Sequence, residues 1–311
     1  MNNLPDAIHI GFSKCGSTFL QSYLRQHSKI FLTHKLHFFS PFDFDNFKKG
    51  IEYYSQHFKL AGIDSVKVDS DEHIVLPIYH PVLGSAATTI DSVKTVVQRI
   101  KATVEDVKII LIIRNQVSLI LSRYSEYLLA GGKYSFKTFL DENLCCSLDQ
   151  KNYYQNFYSE VIKILNKNFS ESNVLVLLQE EFWTERKKVI EMLCEFLNIN
   201  VEYPTNTKIR DRRIGLSYRG MIFMRALNRL LVISPENFLN PARTKLPYGI
   251  YKFFQRLIRL IDYYLPKSFK GNRDQIFPSQ LKLKVQDIFR EDNIKLSISL
   301  NKDLKSLGYL T

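Results

Sequence analysis

The chain has 311 residues, 45% of them hydrophobic and 24% charged, with a formal net charge of +12. That is enough material for a substantial core, and no stretch reaches the roughly 18 uninterrupted apolar residues of a membrane-spanning helix. The positive charge is concentrated: residues 205–275 hold 15 Lys/Arg against 4 Asp/Glu, which calls for an anionic partner such as nucleic acid, anionic lipid, an acidic glycan or a charged nucleotide. The four cysteines, Cys15, Cys145, Cys146 and Cys194, lack metal-ligand spacing and read as reduced thiols. With a glycine loop starting at residue 11, no signal peptide is expected. The expected location is therefore the cytoplasm, either free or held peripherally at the inner membrane surface.

Strands are expected near 7–11, 29–33, 66–69, 108–113 and 173–178. Helices are expected near 17–27, 44–58, 92–103, 116–130, 151–168 and 184–197. The runs Lys108-Ile-Ile-Leu-Ile-Ile113 and Val174-Leu-Val-Leu-Leu178 are apolar on both faces, as buried parallel strands are. The alternation predicts an α/β fold with a parallel sheet flanked by helices. Beyond residue 200 the chain reads as basic helices, with amphipathic segments at 221–231 and 250–261 separated by proline breaks. The segment 278–308 is expected to form two helices that pack back on the sheet. The chain is thus one domain over 1–311, with an α/β nucleotide-binding core at 1–200 and a helical region at 201–311. That region is a lid over the site or a segment resting on a membrane surface, and the sequence leaves both open.

Two motifs carry chemistry. In Gly11-Phe-Ser-Lys-Cys-Gly-Ser-Thr18 a strand runs into a glycine loop and then a helix, the layout in which backbone N–H groups and the helix dipole converge on an anion. The frame is that of a P-loop, but Ser17 stands at the usual lysine position and the lysine, Lys14, lies three residues earlier. The second motif is Arg114-Asn115-Gln116 followed by Ser122. A strand ends in a guanidinium where an ATPase often has a magnesium-binding aspartate. An arginine fork with a nearby hydroxyl suits a phosphate group. Ligands bind beyond the carboxyl ends of such strands, so Gly11 and Arg114 should face one crevice.

At these residues the sequence resembles the sulfotransferases that use 3′-phosphoadenosine 5′-phosphosulfate (PAPS). Their phosphosulfate loop reads like Ser13-Lys14-Cys15-Gly16-Ser17-Thr18, and their 3′-phosphate motif like Arg114, Asn115 and Ser122, with Gln116 in place of proline. His37-Phe38-Phe39, Gly50-Ile51-Glu52-Tyr53-Tyr54, Tyr134-Ser135-Phe136, Val174 through Glu180, Phe196-Leu197 and Lys270-Gly271 follow in the family's order. The likeness spans nearly the whole chain and is nearest to the Golgi glycan-modifying branch and its bacterial relatives.

The resemblance implies PAPS as co-substrate, adenosine 3′,5′-bisphosphate as product, no metal, and a carbohydrate or glycolipid acceptor. Lys14 would neutralise the leaving group, Gly16, Ser17 and Thr18 would hold the 5′-phosphate, and Arg114 with Ser122 the 3′-phosphate. Ser13 and Cys15 complete the loop, and Lys270 and Gly271 stand for the family's late glycine loop on the donor.

The glutamate base of the glycan branch is replaced by Lys35, a poor base when cationic. His37 is the first candidate instead, because imidazole titrates near neutrality; Asp69 is the second. Two other readings stay open at the sequence level. One is a P-loop kinase acting on a small molecule. The other is nucleic-acid binding through the basic block, although the chain has no reader motif and nucleic acid is not the expected partner.

Overall fold

The computed structural model describes residues 3–34, 36–41, 46–71, 90–140, 158–204, 215–234, 242–272 and 275–311. Its centre is a five-stranded parallel sheet of β1 (Ala7–Gly11), β2 (Ile30–His34), β3 (Val66–Ser70), β4 (Lys108–Ile113) and β5 (Val174–Leu178), in the order β2-β3-β1-β4-β5. All five strands fall where the hydrophobic runs place them. Ile109 through Ile113 are fully buried, because helices cover both faces of β4.

The connecting helices are α1 (Ser17–Leu24), α2 (Gly50–Ser55), α3 (Ile90–Thr103), α4 (Gln116–Leu129), α5 (Tyr158–Phe169) and α6 (Arg186–Leu197). In α3, Val93, Val96, Val97 and Ile100 recur at helical spacing and form its buried face. The expected helix 44–58 is broken: α2 is flanked by 3-10 turns at Asn46–Lys49 and Gln56–Phe58. The expected helix 17–27 ends at Leu24, and His27 lies past its end with Nε2 at 3.0 Å from the Asn200 carbonyl oxygen. The first part of the expected helix 151–168 lies outside the described residues; α5 begins at Tyr158.

The C-terminal region comprises α7 (Tyr218–Leu231), a short antiparallel ribbon of β6 (Val232–Ser234) and β7 (Arg243–Thr244), α8 (Tyr248–Tyr264) and α9 (Ser279–Leu300). The two helices expected over 278–308 are one helix and a turn. Asn301 takes the left-handed conformation at φ 48° and ends α9, after which Leu304 and Tyr309 fold back into the sheet's core. A second core, with Tyr124, Tyr127, Phe136, Met221, Phe277 and Phe289, joins α4, α7 and α9. The helical region is therefore built onto the α/β core through two apolar seams.

Candidate active site

In the sheet order, β1 stands between β3 and β4, so the loop that follows β1 has neighbours on both sides. The loop runs from Gly11 to Gly16, and α1 starts at Ser17 with no acidic residue in its first turn. Its N-terminus thus presents a turn of N–H groups and the positive end of the helix dipole. Gly16 has φ +113°, and a Cβ there would stand 2.7 Å from the Phe182 ring. Only glycine fits at this position. Lys14 is also left-handed, at φ 66°. Ser13 and Cys15 are buried, whereas Lys14, Ser17 and Thr18 are half-buried.

On the β4 side, Arg114 Nη1 donates to the Lys14 carbonyl at 3.0 Å, which joins the two motifs across 100 positions of sequence. The Arg114 carbonyl in turn accepts from the buried Tyr158 hydroxyl at 2.7 Å. Asn115 caps α4 by accepting from the Ser118 N–H at 3.2 Å. Its own N–H donates to Glu180 Oε1 at 2.8 Å, and Tyr309 OH donates to Glu180 Oε2 at 3.2 Å. Glu180 is thereby a strand-end carboxylate that shapes the turn, and burial raises its pKa above the usual value. Gln116, at the proline position of the motif, is buried and donates to Asn293 Oδ1 of α9 at 2.7 Å. A side-chain amide here ties the turn to the last helix.

Sequence reasoning missed two residues of α4. Arg123 donates from Nη2 to Ser13 Oγ, and Glu126 Oε1 lies 2.9 Å from Lys14 Nζ. They sit one and four residues after Ser122, on turns of α4 that pass the loop. Ser122 itself is half-buried on α4. Arg114 Nε and Arg123 Nε are buried without a hydrogen-bond partner among the described residues. Two buried guanidinium N–H groups left open beside a helix N-terminus are what an anionic ligand would satisfy.

On the β3 side, the Asp71 N–H donates to the His9 carbonyl of β1 at 3.0 Å, which fixes Asp71 at the carboxyl edge of the sheet. Asp71 is buried; its Oδ2 accepts from the His37 backbone N–H, and its Oδ1 lies 3.2 Å from His37 Nδ1. His37 is left-handed at φ 47° and about a third exposed. Asp69 is placed differently. It is fully buried, with Tyr54 OH donating to Oδ2 at 2.7 Å and Thr33 Oγ1 at 3.5 Å from Oδ1, so it has no surface from which to reach an acceptor. Position along β3 explains this: Asp69 lies within the strand, where Tyr54 covers it, while Asp71 lies just past its end. Lys35 is outside the described residues.

Lys270 and Gly271 lie in a cavity of about 590 Å³ walled by Arg256, Arg259, Lys267 and Tyr263 among others, and by no residue of the loop. Lys270 Nζ donates to the Tyr263 carbonyl at 2.9 Å. The structure thus brings together Ser13, Lys14, Cys15, Gly16, Ser17, Thr18 and Arg114, and leaves Lys270 and Gly271 in a separate basic recess. Among the described residues, no three His, Cys, Asp or Glu are grouped as metal ligands.

A sheet of this order, a phosphate-type loop without its usual lysine and an arginine on the next strand define a nucleotide-dependent group-transfer enzyme. Residues 4–214 match a family model described as a sulfotransferase domain, and the chain belongs to that family. It is a PAPS-dependent sulfotransferase, an enzyme whose donor is PAPS. A sulfotransferase from Alicyclobacillus acidocaldarius shares the fold, with TM-score 0.58 and 17% identity over 97% of this chain and 98% of that one. A mouse sulfotransferase, SULT7A1, solved with PAP, aligns with TM-score 0.49 and 15% identity over 93% of this chain and 83% of that one. No curated protein matches the sequence.

Proposed function

We propose that the enzyme moves a sulfonate from PAPS to a hydroxyl, with an amine as the second choice, of a carbohydrate or glycolipid, in the cytoplasm at the surface of an anionic membrane. The observation that carries the reading is the placement of unlike groups on the two sides of one loop. The guanidiniums of Arg114 and Arg123 flank it toward β4, and the His37–Asp71 pair lies toward β3. A donor anchored by anions on one side and an acceptor deprotonated on the other would meet over Lys14. The order of the glycan-branch landmarks along the chain supports a sugar acceptor.

In this reading Gly16, Ser17 and Thr18 hold the 5′-phosphate, with Ser13 and Cys15 shaping the loop. Arg114 and Ser122 hold the 3′-phosphate. Lys270 and Gly271 are given no donor contact in this reading, because they line a recess apart from the loop, although the cations around them suit an anionic ligand. The acceptor oxygen attacks sulfur in line as the bond from sulfur to the 5′-phosphate oxygen breaks. The electron pair leaves with adenosine 3′,5′-bisphosphate, and Lys14 neutralises the charge that develops there. The transferring group is a planar SO3 unit, so positioning and electrostatics dominate, as in phosphoryl transfer. The proton of the acceptor hydroxyl passes to His37 Nε2, while Asp71 beside Nδ1 holds the ring and balances the imidazolium.

Two measurements test this. Adenosine 3′,5′-bisphosphate should raise the melting temperature without magnesium, and ATP should not; magnesium-dependent stabilisation by ATP would favour a kinase instead. Incubation with radiolabelled PAPS and glycans extracted from the producing cells should label a sugar or glycolipid. Label found only on protein or small phenols would remove the acceptor class.

A further inference from the structure

Helix α8 is docked with the wrong face inward for an ordinary surface helix. Its protein-facing side is largely polar. Tyr251 OH donates to Asn228 Oδ1 at 2.8 Å, Gln255 Nε2 donates to the Leu129 carbonyl at 3.0 Å, and Asp262 Oδ2 accepts from the Ser217 N–H at 2.9 Å. The large apolar residues point outward instead. Ile250, Phe253, Phe254, Leu257, Ile261 and Tyr264 are all exposed, Phe253 to 61% and Tyr264 to 73%. At 100° per residue these six occupy an arc of about 100°. Lys252, Arg256 and Arg259 occupy the next arc, between the apolar stripe and the docked side.

Exposed apolar stripes of this length mark a surface that is covered in use. The charge pattern selects the cover. Between Arg243 and Arg273 the one acidic residue is Asp262, and it is buried. A second copy laid along the stripe would bring these cations against their own kind, a repulsion with no acid to relieve it. A bilayer with anionic headgroups accepts both parts at once, the aromatic and aliphatic stripe at the acyl boundary and the cations at the phosphates. No described helix is long and apolar enough to cross a membrane, which fits contact in the plane of the interface.

We infer that α8 is an in-plane anchor that seats the enzyme on an anionic phospholipid surface through Phe253, Leu257 and their neighbours. This deepens, and rests on, the reading of a membrane-held acceptor, but none of the stripe's residues belongs to the loop, to Arg114 or to the His37–Asp71 pair. The adjoining α7 presents exposed Phe223 and Leu230, and β6 presents Ile233.

The test is co-sedimentation of the full chain with vesicles of phosphatidylcholine, with and without 30% phosphatidylglycerol (about a third anionic, to give the interface a negative potential). Wild type should pellet with the anionic vesicles at low salt and dissociate as salt rises. The double variant Phe253→Asp/Leu257→Asp should bind at least about tenfold more weakly. Because both residues are exposed, the variant should keep its melting temperature and its affinity for adenosine 3′,5′-bisphosphate. Wild type remaining in the supernatant, or the variant pelleting equally, overturns the inference. So does a dimer by sedimentation velocity that the double variant abolishes, since a second copy would then cover the stripe. Loss of vesicle binding with intact transfer to soluble sugars leaves the acceptor reading standing. Vesicle binding without any glycan or glycolipid labelling defeats the acceptor reading instead.

Discussion

Arg114 Nη1 reaches across to the carbonyl oxygen of Lys14 at 3.0 Å, so the guanidinium that would take one phosphate also holds the loop that would take the other. Removing it should therefore cost more than one contact. Arg114→Ala is expected to weaken binding of adenosine 3′,5′-bisphosphate by roughly 2–5 kcal/mol, the usual loss when a buried charge partner is truncated. Titration calorimetry checks it. Arg114→Lys should recover little, because an ammonium cannot serve the carbonyl and a phosphate with one planar fork. Unchanged affinity in Arg114→Ala would place the 3′-phosphate elsewhere.

Lys14 is half-buried and paired with Glu126, an arrangement that keeps its ammonium near the loop before donor arrives. Lys14→Ala should lower kcat by about 10²–10³-fold, the scale of a lost transition-state charge contact. The melting temperature should stay near that of wild type, since an ion pair this exposed contributes little to stability. A kcat near wild type would reject the leaving-group role.

His37 and Asp71 give a paired prediction. His37→Gln should lower kcat by about 10²–10⁴-fold while the KM for PAPS stays within about twofold, as expected for a general base that does not bind donor. Asp71→Asn should lower kcat by a smaller factor and leave the same KM intact, because it acts through the imidazole. If the KM for PAPS rises sharply in either variant, the pair belongs to the donor site.

Asp292 supplies a pH-dependent component of stability. Its Oδ1 accepts from the Ser159 N–H at 3.2 Å, its Oδ2 has no partner among the described residues, and burial pushes its pKa up to about 6. A carboxyl whose pKa is raised on folding favours the protonated native state. Its contribution is full below about pH 4, the unfolded value, and is lost as pH rises through 6. Wild type should therefore lose on the order of 2–3 kcal/mol from this group between pH 4 and 7. Asp292→Asn should remove that slope in denaturant titrations run across the range. An unchanged slope would assign it to other groups.

The five strands fell close to their expected bounds, and β4 and β5 were the plainest because their sequences are continuous apolar runs, β4 being buried along nearly its whole length. The loop and Arg114 were legible for a related reason: glycine at φ +113° and a charge at the end of a buried strand are local demands that write themselves into local sequence. The end of α9 was not. Two helices were expected where Asn301 closes one, since nothing in the pattern says whether a polar residue caps a helix or merely faces water.

Residue type by itself determined that this chain makes a parallel sheet with an anion loop, because continuous apolar runs and a glycine turn at a strand's end are local features of the sequence. Tertiary structure decided which carboxylate stands beside His37. Asp69 and Asp71 are two residues apart and share one face of an extended chain, yet one is sealed under Tyr54 and the other emerges at the sheet's edge. It also decided that α8 turns its apolar stripe outward, since periodicity fixes that a helix has two faces but packing chooses which of them meets the core.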